Sequence, residues 1–158
     1  VSDRFDMFVP GRPVPQGSKR ALMPKGGKVP VVIDANPEGL AAWRRKVTNE
    51  AIEKQAEYMH TQPGMLFPIG DPIGLTVTFA MERPRFHYGT GKNADIVKES
   101  APKFPAIMPD IDKLLRAILD ALTDAQVWRD DGQVVWVLAK KVYDAGRPGV
   151  AISLGRMK

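Results

Sequence analysis

The chain has 158 residues, 44% of them hydrophobic and 26% charged, the balance of an ordinary globular domain long enough to bury a core. It contains no cysteine and only two histidines, His60 and His87, which excludes a disulfide framework, a Cys-based zinc site, an iron-sulfur cluster and a thiol nucleophile, and leaves any metal to oxygen ligands. Lys plus Arg is 23 and Asp plus Glu is 18, so the net charge is 23 − 18 = +5; with no apolar run of membrane-spanning length and no secretory leader pattern, a soluble, unexported single domain over residues 1–158 is expected.

Phe5 to Val9 reads as a first strand, ended by Pro10 and Gly11. Gly and Pro then recur so often that a loop is expected up to about Val31. This stretch is basic: from Pro10 to Ile33 stand Arg12, Lys19, Arg20, Lys25 and Lys28 with no acid, which suits a polyanionic partner. Asn36 before Pro37, with Glu38 following, marks a helix start, and Leu40, Trp43, Val47 and Ala51 carry the helix at its own spacing to about Met59. Pro63, Gly64, Pro68, Gly70 and Pro72 predict a loop. Beyond it Ile73, Leu75, Val77, Phe79 and Met81 alternate with Gly74, Thr76, Thr78, Ala80 and Glu82, the period of two of a half-buried strand.

Arg83 to Pro109 has no apolar periodicity and carries Arg83, Arg85, Lys92, Lys98 and Lys103. It reads as a second long basic loop, of a length that tends to be functional or mobile. Ile111, Leu114, Leu115, Ile118, Leu119 and Leu122 then fall at i, i+3, i+4, i+7, i+8 and i+11, the stripe of an amphipathic helix. Val134 to Val142 predicts a strand, and Val150, Ile152 and Leu154 a last one after a Gly-Pro turn. The order β-α-β-α-β-β, without repeats or linkers, implies an α+β fold in which a mixed β-sheet is covered by two helices, with long basic loops.

Acids gather late in the chain. Asp110 to Asp131 holds Asp110, Asp112, Asp120, Asp124, Asp130 and Asp131 against Lys113, Arg116 and Arg129. On the second helix the face opposite the leucine stripe bears Asp112, Lys113, Arg116 and Asp120, with Asp110 at its start. If the strand after Asp130-Asp131 runs beside that start, Asp110, Asp112 and one of the pair converge, and a divalent cation is the usual means of making such a cluster favourable. Mg²⁺ suits it, since it takes oxygen ligands, keeps several waters and often binds a few carboxylates together with phosphate oxygens. A structural role accounts for the same residues: Asp110 as an N-cap, Asp112 in the first turn, Asp112-Arg116 and Arg116-Asp120 as i, i+4 pairs, and Asp130-Asp131-Gly132 as a turn. Spacing alone leaves both open.

The run from Met108-Pro109-Asp110-Ile111-Asp112-Lys113 through Arg116, Asp120 and Leu122, continued by Asp130-Asp131-Gly132-Gln133-Val134, resembles the signature of the RusA-type Holliday junction resolvases of bacteria, prophages and phages. That signature is roughly P-D-x-D-N-x-x-K-x-x-x-D-x-L followed by D-D-x-Q-V. The opening Phe8-Val9-Pro10-Gly11-Arg12-Pro13-Val14-Pro15-Gln16-Gly17 also resembles phage members. The resemblance implies a homodimeric, Mg²⁺-dependent endonuclease, with Mn²⁺ as substitute, that nicks opposing strands of four-way DNA junctions in recombination and repair. It implies a cytoplasmic place in a bacterial host or phage-infected cell, and neither a membrane nor a small-molecule cofactor. By the same resemblance Asp110, Asp112 and Asp131 hold the metal, with Asp130 beside the last.

Two positions depart from the family pattern: Lys113 stands where most members have asparagine, and Arg116 where they have lysine. Arginine does not deprotonate in proteins, so Arg116 suits charge stabilisation and not general base catalysis, and Lys113 is the alternative source of the lysine function. Arg12, Lys19, Arg20, Lys25, Lys28, Arg83, Arg85, Lys92 and Lys141 are the expected DNA contacts, the last where the family often has a strand lysine. Trp43, Trp128 and Trp136 are expected in the core, and His87 and Tyr88 beside DNA. Two other readings stay open, a junction-binding relative without turnover and a nuclease that also cuts flaps and forks.

Overall fold

A computed structural model describes residues 4–17, 19–59, 66–67, 70–144 and 146–158; His60, Pro63, Gly64 and Pro68 lie outside them. The elements are β1 (Arg4–Pro10), β2 (Lys19–Leu22), β3 (Val31–Asp34), α1 (Pro37–Met59), β4 (Ile73–Met81), α2 (Ile111–Asp124), β5 (Val134–Tyr143) and β6 (Gly149–Arg156), with short 3-10 turns at Arg85–His87, Gly91–Asn93 and Asp131–Gln133. The fold is α+β, as the element order implies. Chain contacts divide it into two units, one from the described residues of Val1–Pro13, Gly70–Met108 and Gly132–Lys158, the other from those of Val14–Ile69 and Pro109–Asp131.

The first unit is a four-stranded sheet in the order β1-β6-β4-β5. Strand β6 is antiparallel to both β1 and β4, whereas β4 and β5 run parallel. Register places alternate residues of three strands in common rows: Phe5, Leu154 and Leu75; Met7, Ile152 and Val77; Val9, Val150 and Phe79. All nine are buried, so the period-two pattern read along single strands becomes one apolar face when the strands pair. Gly149 is required where β6 meets β1, since a Cβ there would lie 2.5 Å from the Val9 carbonyl oxygen. The other edge differs. On β5 the side chains of Val135, Trp136, Val137 and Leu138 are all exposed, so Trp136 is not a core residue.

The second unit is built on α1 and α2. Asn36 caps α1 as expected, its side-chain oxygen accepting the Gly39 N–H at 3.0 Å, and Trp43, Val47 and Ala51 are buried. On α2 the buried side chains are Leu114, Ala117, Ile118, Ala121 and Leu122. Ile111 is exposed and Leu115 and Leu119 are half-buried, so the closed face is centred one position away from the leucine stripe, on the side of the two alanines. Side chains of α1 fasten the C-terminal half of α2: Thr48 Oγ1 donates to the Ala121 carbonyl at 3.1 Å, and Gln55 Nε2 to that of Ala125 at 2.8 Å.

The stretch from Pro10 to Val31 is not loop throughout. Strands β2 and β3 pair antiparallel as a separate two-stranded sheet, Lys19 opposite Asp34 and Leu22 opposite Val31. Every residue of β2 is exposed, so no alternation of apolar and polar residues marks it in the sequence. The turn between the strands uses Gly26 at φ +78, a left-handed conformation that glycine adopts without strain.

Helix α2 ends in a Schellman arrangement. The Val127 N–H donates to the Leu122 carbonyl at 3.2 Å and the Gln126 N–H to that of Thr123 at 2.9 Å. Gln126 takes φ +56 there, a conformation that costs a residue with a Cβ roughly 1–2 kcal/mol and glycine little. Replacing Gln126 by Gly is therefore expected to stabilise the protein by about 1 kcal/mol, read as a higher urea midpoint at unchanged m-value.

Candidate active site

Asp110 occupies the N-cap position of α2, but its side chain makes no capping hydrogen bond. Its carboxylate instead meets the Lys113 ammonium at 2.9 Å, one turn on. By that hydrogen bond, and then by its charge, Asp110 raises the Lys113 pKa above its ordinary value of 10.5. Asp112 and Arg116 are exposed on the same outward side of the helix. The buried face fixes this presentation: with Leu114, Ala117, Ile118 and Ala121 turned inward, positions 112, 113 and 116 have no choice but to face out.

The i, i+4 pairs offered by the sequence do not form. Asp120 accepts a short hydrogen bond from Gln16 Nε2 and lies 3.7 Å from the Arg44 guanidinium, which also binds Asp124 at 2.6 Å. Arg116 makes no ion pair among the described residues and keeps its charge at the surface. Gln16 also donates its backbone N–H to the Lys113 carbonyl at 2.9 Å, so the segment leading to the basic hairpin is bonded to α2 at two points. Neither Gln16 nor Arg44 stands out in the sequence as part of the site. A polar residue in a loop and a cation on a helix carry no signal of the acid they will meet.

Beyond α2 the chain turns through Val127 and Trp128, both buried, and Trp128 Nε1 donates to Thr123 Oγ1 at 2.8 Å. Asp130 and Asp131 follow as exposed residues. Among the described residues no three His, Cys, Asp or Glu side chains are gathered at metal-holding distance. The donor set nonetheless fits a hard cation: these are carboxylates, that of Asp110 is not used in capping, and Mg²⁺ is commonly held by one or two carboxylates with water in its remaining positions.

The cations expected at DNA fall into two kinds. Lys19, Arg20, Lys25 and Lys28 are exposed along the β2-β3 hairpin and its turn, Arg12 is exposed after β1, and Lys92 is exposed in a 3-10 turn. Arg83, Arg85 and Lys141 are engaged in holding the second basic loop, donating to the carbonyls of Pro102 at 2.9 Å, Ala94 at 2.8 Å and Ile107 at 2.6 Å. Among the described residues no helix is long and apolar enough to cross a membrane.

An amphipathic helix with acids before, on and after it is joined to a basic hairpin, and comparison with known proteins says which family carries this arrangement. A family model described as Endodeoxyribonuclease RusA matches residues 10–155, so the chain belongs to the RusA endodeoxyribonuclease family. The crossover junction endodeoxyribonuclease rusA of Lactococcus phage r1t is 30% identical over 101 residues. That alignment takes in 64% of this chain and 66% of the phage protein, so the chain spans just under two thirds of that relative. The family inferred from the aspartate motif is thereby borne out.

The Asp110-Lys113 pair has a measurable signature. In metal-free buffer, Asp110→Asn is expected to return the Lys113 pKa toward 10.5, followed by NMR titration of its Nζ. The sign is fixed by the direction of the shift: a raised lysine pKa adds stability below the unfolded value, and that contribution is lost as pH rises through the folded one, so the pair stays intact at neutral pH.

Proposed function

We propose that the chain is a structure-specific endodeoxyribonuclease that hydrolyses a phosphodiester on each of two opposing strands of a four-way DNA junction, using Mg²⁺ held by Asp110, Asp112 and Asp131, with Asp130 adjacent. The observation that carries the reading is the family signature seated at the start of α2, where Asp110 is the N-cap residue paired with Lys113, and Asp112 and Arg116 are exposed. When bound, Mg²⁺ supplies Lewis-acid chemistry, acidifying the attacking water and polarising the phosphoryl oxygen.

Lys113 and Arg116 are both cations at neutral pH. An arginine guanidinium keeps its proton in proteins, and the Lys113 ammonium is paired with Asp110. Their role is electrostatic: they offset the charge that builds on phosphorus as water enters and the 3′-oxygen leaves. Lys113 also balances Asp110, which lowers the cost of placing two carboxylates at one helix end. Exposed cations of the hairpin, Lys19, Arg20, Lys25 and Lys28, with Arg12 and Lys92, would contact backbone phosphates, and such contacts favour shape over sequence.

Symmetric cutting needs two active sites related by a two-fold axis, which a homodimer supplies. Support comes from β5, the last strand of the sheet, whose Val135, Trp136, Val137 and Leu138 side chains are exposed. Such an edge is ordinarily blunted or covered, and a second copy covers it.

Two measurements test these points. On a labelled synthetic four-way junction with a matched linear duplex as control, the wild type is expected to nick only the junction and only with Mg²⁺ or Mn²⁺. Asp112→Asn is expected to lose roughly 10²–10³ in rate. Tight binding without cutting would instead identify a junction-binding protein, and equal cutting of flaps and forks a broader nuclease. By sedimentation equilibrium the wild type is expected at twice the chain mass and the double variant Trp136→Glu, Leu138→Lys at the chain mass; an unchanged mass would exclude β5 as the interface.

A further inference from the structure

The segment between β4 and α2 has no long helix or strand, yet it is fastened throughout. Arg83 lies with its guanidinium carbon 4.1 Å from the centre of the Tyr143 ring and donates to the Pro102 carbonyl at 2.9 Å. Arg85 Nη1 donates to the Ala94 carbonyl, and Lys98 Nζ to that of Phe86 at 2.9 Å. Backbone bonds from Gly89 to Ile96 and from Lys98 to His87 close the middle of the segment.

These ties mount one side chain. The His87 ring, 6% exposed, meets the Tyr143 ring edge-on at 5.4 Å, and the Phe86 ring meets His87 edge-on at 4.6 Å. Phe86 itself is 73% exposed. A phenylalanine set against a buried ring and left open to water forgoes most of the stabilisation its burial would bring, so its ring is available to a ligand. Phe104 is also exposed but has no ring contact among the described residues.

The surroundings indicate the occupant. From Arg83 to Pro109 there are five cations, Arg83, Arg85, Lys92, Lys98 and Lys103, against two acids, Asp95 and Glu99. The Lys98 ammonium is held at the carbonyl of Phe86 itself. An exposed aromatic ring beside an ammonium is the pairing that takes a nucleobase on its face and a phosphate next to it. We infer that Phe86 is a base-stacking residue that receives an unstacked base at the branch point of the DNA, with the Lys98 ammonium, held at the Phe86 carbonyl, adding positive charge beside it. In the interior of a linear duplex both faces of every base are covered, so away from duplex ends the contact favours a branch without reading sequence.

This inference rests on the branched-DNA reading above, and one experiment separates the two. A four-way junction carrying 2-aminopurine at the crossover is titrated in EDTA with wild type, Phe86→Ala, Phe86→Leu and Phe86→Trp, and the same proteins are titrated on a linear duplex. The wild type is expected to change the 2-aminopurine fluorescence and to prefer the junction. Phe86→Ala and Phe86→Leu are expected to lose the signal and about tenfold in junction affinity, with duplex affinity and thermal stability unchanged, and Phe86→Trp to retain both. If Phe86→Ala matches a wild type that prefers the junction, the inference falls alone. It falls likewise if Phe86→Leu behaves as wild type, or if Phe86→Ala changes the sedimentation mass, which would make the ring a protein contact. A wild type that does not distinguish junction from duplex overturns the branched-DNA reading and this inference with it.

Discussion

Burial of Leu114, Ala117, Ile118, Ala121 and Leu122 is the constraint on which the candidate site depends. Each large apolar side chain removed from water contributes about 1.5–3 kcal/mol, far more than an exposed ion pair, so this face sets the rotation of α2. Once the rotation is set, the outward positions follow from a 100° step per residue: Asp112, Lys113 and Arg116 face solvent whatever their charges prefer. Electrostatics then works within that frame. Lys113 turns back one turn to Asp110, and Arg44 from α1 takes Asp120 and Asp124, which leaves Arg116 outside any ion pair among the described residues.

The two ends of α2 serve different purposes. Its C-terminus is closed by backbone bonds from Gln126 and Val127 and by Trp128 bonded to Thr123, a rigid exit that delivers Asp130 and Asp131 at a defined point. At its N-terminus the Asp110 carboxylate is left uncommitted to capping, although an N-cap aspartate typically contributes about 1 kcal/mol in that role. Its carboxylate is engaged by Lys113 in place of the cap.

Periodicity made most of the fold legible. The alternation in β4 and β6, the Asn36-Pro37 start of α1 and the i, i+3, i+4 spacing of α2 each encode burial, and burial is what hydropathy reports. Where burial is absent, sequence is silent. Strand β2 is exposed at every residue, so its pairing with β3 left no pattern to read. On β5, by contrast, the strand was legible but Trp136, expected in the core, proved to be exposed, because hydropathy does not say which strand comes last in the sheet. The candidate site was legible through resemblance to the family's aspartate motif, spacing alone leaving a structural role open, whereas Gln16 and Arg44, which hold Asp120 and Asp124 from distant positions, were not: long-range polar contacts carry no period.

Arg83, Arg85 and Lys141 show why counting cations overstates a DNA surface. All three look equivalent to Lys25 and Lys28 in the sequence, yet each spends its donors on a carbonyl of the segment between β4 and α2. A side chain so engaged keeps its charge but gives up part of its reach, so it contributes to the field around the DNA more than to direct phosphate contact. The exposed cations of the β2-β3 hairpin are placed differently. An isolated two-stranded sheet is marginal in water, and five cations with no acid between Pro10 and Ile33 repel one another, so binding a polyanion relieves that repulsion as the hairpin is held. The two basic segments thus differ in their internal bonding: the cations of the hairpin are exposed, whereas Arg83, Arg85 and Lys98 of the other segment are tied to backbone carbonyls.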